Sequence, residues 1–487
     1  MKSFLNLSVV LLVFLVFSCS SSQSSNDSDI IPDEDIDSDD TETVDDDSDS
    51  QGSEIVDDSD EMPDADSEET SDGIFEKTQP INGYKRCYDK IPAGDYEGWF
   101  ANPYIESEVK RSLGYEQNYK LTEEDWEKVK EITIYSQDLR GIEKLVNLKK
   151  IQISGENVYD FTPLSGLTKL KELILYSEYM TCLDGSLSLL TNLETLEIRE
   201  TKLKDISPVE HLENLTSLDL DKNQIEFLPE DIGNLQKLEY LTFSYNRVQD
   251  IEGIKSLTNL ERLGFSHNQI ENILPIRNMT KLIVLNFSNN YITDLSAVEN
   301  FIELESLVAN NNKIKMLPNF QRLGKLQRIH LSYNNISDLP ELKGLDSLNE
   351  MWLADNNLDD EDLIRLNELQ SIKFLHIGLN NITKVPVMKN VKSLQELYLN
   401  YNSITDLAGF ADSESFPALK RLDVGSNKIE DVEAFRDRTG LSSLWVDKNC
   451  IKDFSPLEEL KAQGTYVGGM NEQLESCENT ATLGEGE

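Results

Sequence analysis

Positive charge is scarce in this chain. Its 487 residues hold 45 Lys and Arg against 90 Asp and Glu, a formal net charge of −45. A protein that grips nucleic acid needs a basic footprint to neutralise phosphates, and this one carries the opposite sign. The same excess repels an anionic membrane surface. Only four His are present, which leaves little material for His-rich metal sites or His-based catalysis. Five Cys are too few for a dense disulfide scaffold in a chain of this length. The hydrophobic fraction, 38%, is low for one compact globule, so part of the chain is expected to stay unfolded. Catalytic signatures are missing too: there is no Gly-x-Ser-x-Gly, His-Glu-x-x-His, phosphate-binding glycine loop or Cys-x-x-Cys. The expectation is no enzyme, no cofactor and no metal site.

Long apolar runs are also lacking. Leu5 to Phe17, interrupted only by Asn6 and Ser8, is shorter than the roughly 20 residues that span a bilayer. It suits the apolar core of a signal segment, with Lys2 as the basic lead. The run ends Val16-Phe17-Ser18-Cys19, which resembles the lipobox of bacterial lipoproteins. That resemblance implies lipidation of Cys19 and a signal segment over 1–18. An ordinary secretory signal cleaved nearby is the alternative. Either way the remainder is expected to be exported. Ser20 rather than Asp follows the Cys, so the resemblance implies the outer membrane or cell surface, with the lipid as the only membrane contact.

Between Ser20 and Gly73 stand 17 Asp, 6 Glu and 13 Ser, with no Lys or Arg. Such a segment cannot bury enough apolar surface to offset its ordering entropy. Residues 19–78 are therefore read as a disordered acidic tether. At about 3.3–3.6 Å per residue the 20–73 stretch reaches at most about 190 Å. A folded calcium loop needs Gly at its sixth position and Glu at its twelfth. The run from Asp33 has Ser38 at the sixth, and the run from Asp45 has Ser50. Only weak, diffuse binding of divalent cations is expected there.

What the chain has in abundance is a repeat. The spacing Leu-x-x-Leu-x-Leu-x-x-Asn-x-Ile is clear at Leu215, Leu218, Leu220, Asn223 and Ile225. It recurs from Val129 to Leu441, fifteen copies by our reading, mostly 22 residues apart. This is the pattern of a leucine-rich repeat. The alternating leucines make a short strand with one inward face, and no single copy can bury that face alone. Stacked copies predict an α/β solenoid, a horseshoe with a parallel sheet on its concave face and short 3-10 turns on its convex face. The Asn is expected to bond backbone groups where the chain turns. In the early copies Gln137, Glu156, Glu178 and Thr201 stand in its place, which predicts a weaker ladder at that end.

The array is bounded as residues 129–460, with an N-terminal cap over 79–128 and a C-terminal cap and tail over 461–487. Glu106 to Leu113 reads as a helix stopped by Gly114, and Thr122 opens a second, with Glu123, Glu124 and Asp125 in its first turn. Ile105, Val109, Leu113-Gly114, Leu121-Thr122, Asp125, Val129 and Ile132, leading into Gly141-Ile142 and Leu145-x-Asn147-Leu148, resemble the internalins. These are bacterial surface leucine-rich repeat proteins. The resemblance spans roughly 100–460 and speaks to fold more than to partner. No Leu-Pro-x-Thr-Gly wall anchor is present; a lipid at the other end would replace it. Cys450 and Cys477 flank the C-terminal end and are the favoured disulfide. Cys87 and Cys182 either pair or remain free thiols.

The residues flanking the inward strand leucines should line the concave face. In the C-terminal half they are large rings: His330, Trp352, Phe374, His376, Tyr398 and Trp445, with Tyr333 and Tyr401 at strand exits. Arg328, Glu350, Glu396 and Arg421 border them. Exposed aromatics beside Arg are the composition of an interface hot spot. Isolated exposed aromatics are also ordinary, and rings on neighbouring strands can simply stabilise one another. His330 and His376 are two strands apart, roughly 9–10 Å, which argues against a shared metal. The favoured expectation is a non-catalytic module that binds a protein partner through this face. A glycan or envelope-polymer binder and a structural envelope scaffold are the alternatives.

Overall fold

The computed structural model describes residues 102–477 apart from 156, 157 and 159. The signal segment, Cys19, the acidic tether, residues 79–101 of the cap and Cys87 lie outside the described residues, as does the tail after 477.

Sixteen short strands form one parallel sheet in strict chain order, from Glu131–Ile134 to Tyr466–Gly468. The fold is a leucine-rich repeat solenoid. Fifteen strands coincide with the fifteen copies of the motif. The sixteenth, Tyr466–Gly468, has no leucine pattern to announce it; Val467 takes the inward place and is 9% exposed. Successive strands pair without slippage because each motif leucine must enter the core, and a shift of one residue would expose it. Leu218, Leu241, Leu263 and Leu285 are fully buried at one level. Phe243, Phe265 and Phe287 form a stack at the next, with ring centroids 5.6 and 5.7 Å apart.

The Asn ladder runs from Asn223 to Asn449, and its members bind backbone of their own repeat and of the one before. Asn290 Nδ2 donates to the carbonyls of Phe265 and Phe287, both at 3.0 Å, while its Oδ1 accepts from Ile270 N–H at 3.0 Å. The early repeats do differ. Gln137 and Glu178 are exposed and take no ladder place, and Glu156 is outside the described residues. Thr201 is buried; its hydroxyl accepts from Leu203 N–H and donates to Asn223 Oδ1. The residue just before the ladder Asn turns the chain out of the strand in left-handed backbone. Its φ lies between 51° and 58° at every such exit from Lys222 to Lys448.

On the convex side most repeats return through single 3-10 turns, such as Ser207–His211 and Glu252–Ile254. An Asp two residues ahead accepts the first free N–H: Asp205 from Ser207, Asp250 from Glu252, Asp431 from Glu433, each at 2.8 Å. The repeats lengthened by two or three residues fit a short α-helix instead, Asp360–Arg365 and Ala408–Ala411.

Both ends are covered. The helix Pro103–Ser112 starts at Asn102, whose side chain accepts from Tyr104 N–H. It ends before Gly114, at φ 72°. Its Ile105 and Val109 are fully buried at the first strand's end of the core. The helix Glu123–Lys128 opens with a reciprocal Thr122–Asp125 cap. Asp125 is 1% exposed, and bonds from Lys128 and Thr122 hold its carboxyl far below the usual range. At the other end Gln473 imitates the ladder Asn: Nε2 donates to Val446 and Gly469 carbonyls, and Oε1 accepts from Ile451 N–H. The Cys450–Cys477 disulfide pins that segment. Cys182 is also disulfide-bonded rather than free; its expected partner, Cys87, is outside the described residues. Among the described residues no helix is long and apolar enough to cross a membrane.

Candidate partner-binding face

Strand register decides which side chains become neighbours. Arg328, Glu350, Phe374, Glu396 and Arg421 are aligned in one column across five strands. Two residues further along each strand, on the same face, His330, Trp352, His376, Tyr398, Asp423 and Trp445 form a second. The strand pleat therefore brings the rings together as the motif spacing implied.

The contact is continuous from His330 to Tyr398. Trp352 lies 5.5 Å from His330, 4.7 Å from Phe374 and 5.4 Å from His376, centroid to centroid. Tyr398 completes the group at 5.3 Å from both Phe374 and His376. These are separations at which offset rings attract. Trp445 does not join them. Asp423 intervenes in the column, and Trp445 packs at 5.9 Å from Tyr466 of the sixteenth strand. Tyr466 had no motif to place it on this face.

The carboxylates hold the rings by their polar edges. Glu350 Oε1 accepts from His330 Nε2 at 3.1 Å and from Trp352 Nε1 at 2.8 Å. These bonds, His330's first, keep its pKa below the ordinary carboxylate value. Glu396 accepts from the Tyr398 hydroxyl at 3.0 Å and faces Arg421 at 3.7 Å. Burial and the Glu396 charge push the Tyr398 phenol up. Burial lowers His376 to about 4, so its ring is neutral at physiological pH, and its Nδ1 is buried without a partner. Burial raises Asp423 to about 6 against the Gly425 N–H bond. Arg328 is exposed, and its charge helps to lower the pKa of Glu350, its neighbour in the column. Tyr401 stands 44% exposed at its strand exit. Tyr333 and Leu379 occupy the same place in other repeats, 55% and 41% exposed; Leu379 escaped the sequence reading because it is neither aromatic nor inside the strand.

A second polar group lies on the same face nearer the N-terminus. Arg199 binds Asp219, and Asp221 Oδ1 accepts from Thr242 Oγ1 and Ser244 N–H, both at 2.6 Å. Asp219 is 1% exposed. Burial and Asp221 push it up to about 7, outweighing Arg199. Its only sequence signal is two Asp at alternate strand positions. Among the described residues no three His, Cys, Asp or Glu are grouped to hold a metal ion.

Family models described as "Leucine rich repeat" and "Leucine Rich repeats (2 copies)" match residues 211–270 and 392–437. No curated protein matches the chain. Among solved structures, an internalin, InlF of Listeria monocytogenes, is 27% identical, with a TM-score of 0.54, over 74% of this chain and 93% of its own. A leucine-rich repeat protein of Leptospira interrogans is 23% identical, with a TM-score of 0.59, over 72% and 98%. A plant peptide hormone receptor, RGFR1, solved in complex with RGF2, is 21% identical, with a TM-score of 0.57, over 70% and 61%.

Proposed function

We propose that this leucine-rich repeat chain is an exported, lipid-anchored binding protein that holds a protein partner on the C-terminal half of its concave face, without catalysis. The observation that carries the reading is the continuous ring contact from His330 to Tyr398, preformed and fixed at its edges by Glu350 and Glu396. Rings already locked by neighbours lose little side-chain freedom on binding, so more of their contact energy appears as affinity. Proteins of this fold commonly bind protein partners, internalins and receptor ectodomains among them. The lipobox-like run ending at Cys19 and the acidic segment behind it support presentation at a distance from a membrane.

The test is saturable binding of the labelled chain to protein targets on intact cells, with and without protease treatment of those cells. Trp352→Ala removes the ring that touches three others and should weaken binding roughly 30-fold or more, as a central hot-spot residue does. Binding that survives both Trp352→Ala and Tyr398→Ala refutes the reading. Protease shaving of the producing cells addresses display: loss of the array from intact cells supports an outward face, and protection until lysis sends the search to envelope proteins.

A further inference from the structure

The ring row has a gap where Asp423 stands. Tyr398, Asp423 and Trp445 are neighbours in one column on consecutive strands, so about 9–10 Å separates the two ring-bearing strands. Neither ring leans into the gap. Tyr398 packs toward Phe374 and His376. Trp445 leans over Gly468 toward Tyr466, its Cδ1 2.9 Å from where a Gly468 Cβ would stand. The floor is kept low by Gly425, two residues beyond Asp423 and on the same face. Two carboxylates meet over that glycine. Asp423 Oδ1 accepts from Gly425 N–H at 2.9 Å. Asp447, from the next repeat, reaches across until its Oδ1 is 2.6 Å from the position a Gly425 Cβ would take. The slot therefore has an aromatic wall on either side and a pair of acids at its base.

Among the described residues that pair has no cation. Burial raises Asp423 to about 6 against the Gly425 N–H bond, and the charge that bears on it is the like charge of Asp447. Arg421, two residues earlier on the same strand, is turned to Glu396 at 3.7 Å and to the Tyr398 hydroxyl. The N-terminal half offers a direct contrast. Asp219 and Asp221 stand in the same two columns, and there Arg199 binds Asp219. The solenoid does not ask for the C-terminal pair, since Ser266, Ser288 and Asn310 fill the place of Asp447 in other repeats. Like charges set side by side cost stability. A basic group brought from outside would relieve the repulsion and form charge-assisted hydrogen bonds with both carboxylates. The walls suit the same group: the stem of an Arg or Lys packs along apolar surface, and its cation is attracted to ring faces within about 6 Å. A calcium ion suits the slot less, because it takes about six to eight oxygens. The next side-chain oxygen in the row, Asn400 Oδ1, is drawn away over Gly378, 2.6 Å from its Cβ position.

We propose that this slot receives one basic side chain, Arg or Lys, from the protein partner, seated between Tyr398 and Trp445 with its cationic head on Asp423 and Asp447. The proposal rests on the concave face being the binding face. It adds a charge requirement on the partner and the two residues that impose it.

The probe is a display library of random twelve-residue peptides, panned on the immobilised full chain at physiological salt, where long-range attraction is screened. The selected pool should be enriched in Arg and Lys. Replacing that residue by Gln in a selected peptide should weaken binding at least tenfold, and so should Asp423→Asn together with Asp447→Asn in the chain. Asn keeps the shape and the Gly425 bond while removing the repulsion. The thermal midpoint of the double variant should therefore be unchanged or higher, which excludes misfolding as the cause. Exposed Glu213→Gln with Glu271→Gln removes as much charge away from the slot and should change binding by less than about twofold. Equal losses in the two double variants would mean general attraction to an acidic chain and overturn the slot. Peptides that need Trp352 but ignore the Asp423 and Asp447 changes also overturn it, while leaving the concave reading intact. Peptides indifferent to Trp352→Ala, Tyr398→Ala and the double Asn variant overturn both. A pool without basic enrichment, or no pool at all, overturns the slot. Calcium binding, titrated with calcium chloride alone and lost in the double Asn variant, overturns it in favour of a metal.

Discussion

The Asn ladder can be tested at a single residue, Asn290, whose bonds differ in how replaceable they are. Asn290 is 5% exposed, so water cannot substitute for its amide. Replacing it by Ala removes one bond each from the Phe265 and Phe287 carbonyls. Both carbonyls keep another partner, because Asn268 still donates to Phe265 and Asn312 still donates to Phe287. Ile270 N–H is different: Asn290 Oδ1 is its acceptor, and nothing takes its place. One stranded buried donor costs about 1–3 kcal/mol, and weakening two shared carbonyls adds about 1. The expected loss is about 2–4 kcal/mol. It should be local, since a repeat array is coupled mainly through neighbours. Amide hydrogen exchange at Ile270 is the sharpest assay, and its protection should fall about 30- to 900-fold, the same free energy read as a ratio. Urea unfolding followed by circular dichroism gives the global effect. The exposed Asn278→Ala serves as control and should change stability by less than about 0.5 kcal/mol. Asn290→Asp keeps the acceptor but sets a carboxylate against two carbonyls, so it should be at least as damaging as Ala. If Asn290→Ala matches the control and Ile270 stays protected, the ladder is not what secures these turns.

Three further outcomes follow from the geometry. Opening the Cys450–Cys477 link, by Cys477→Ser or by reduction, frees a loop of 27 residues and should cost about 3–4 kcal/mol in the chain-entropy view. Limited proteolysis should then cut first within 466–477. Gly378→Ala should destabilise the array by about 1–3 kcal/mol through overpacking, since the new methyl meets Asn400 Oδ1 at 2.6 Å and its carbonyl at 2.8 Å; a lowered thermal midpoint is the readout. Asp219 holds its proton more tightly folded than unfolded, with a folded pKa of about 7 against about 3.9 unfolded. Over that interval the native state binds more protons, so this group's contribution to stability is present below pH 4 and is lost as pH rises to 7. Asp219→Asn should flatten that slope in unfolding measurements at pH 4 to 7.5, and an unchanged slope would refute the assignment.

The parts of the fold that were legible in the sequence are those enforced by repetition. Leu218, Leu241 and Leu263 announce their inward places because every copy must bury the same face. The short 3-10 turns of the convex face recur for the same reason, although the Asp205, Asp250 and Asp431 bonds that open them were not read from the motif. Legibility fails where one copy departs from the rest. Tyr466–Gly468 is a strand because it covers the Ser443–Trp445 strand, not because of any leucine spacing. Gln473 completes the ladder from outside the motif. Gln137 and Glu178 occupy the Asn place in an alignment yet lie on the surface, because the first turns leave their strands differently. On the concave face, spacing predicted which residues share a column. It could not predict that Glu350 would capture both His330 and Trp352, that Trp445 would turn to Tyr466, or that Asp219 would be buried beside Asp221. Those follow from side-chain reach across strands, which a one-dimensional pattern does not contain.

The most informative residues are therefore those that the solenoid tolerates rather than demands. Any residue able to enter left-handed backbone serves at a strand exit, and Lys222, Asn289, Asp355 and Ser426 all do. Tyr333, Leu379 and Tyr401 serve it less well, exposing apolar surface in a backbone that suits Asn better. Tyr245 and His267 hold such exits in repeats outside the ring row, and Asp355 holds the exit of the Trp352 repeat itself, so the identity of an exit residue is not tied to the rings beside it. Exchanging Tyr333 and Tyr401 for Asn should accordingly hold or raise the thermal midpoint, and a lowered midpoint would show that these exits serve the fold.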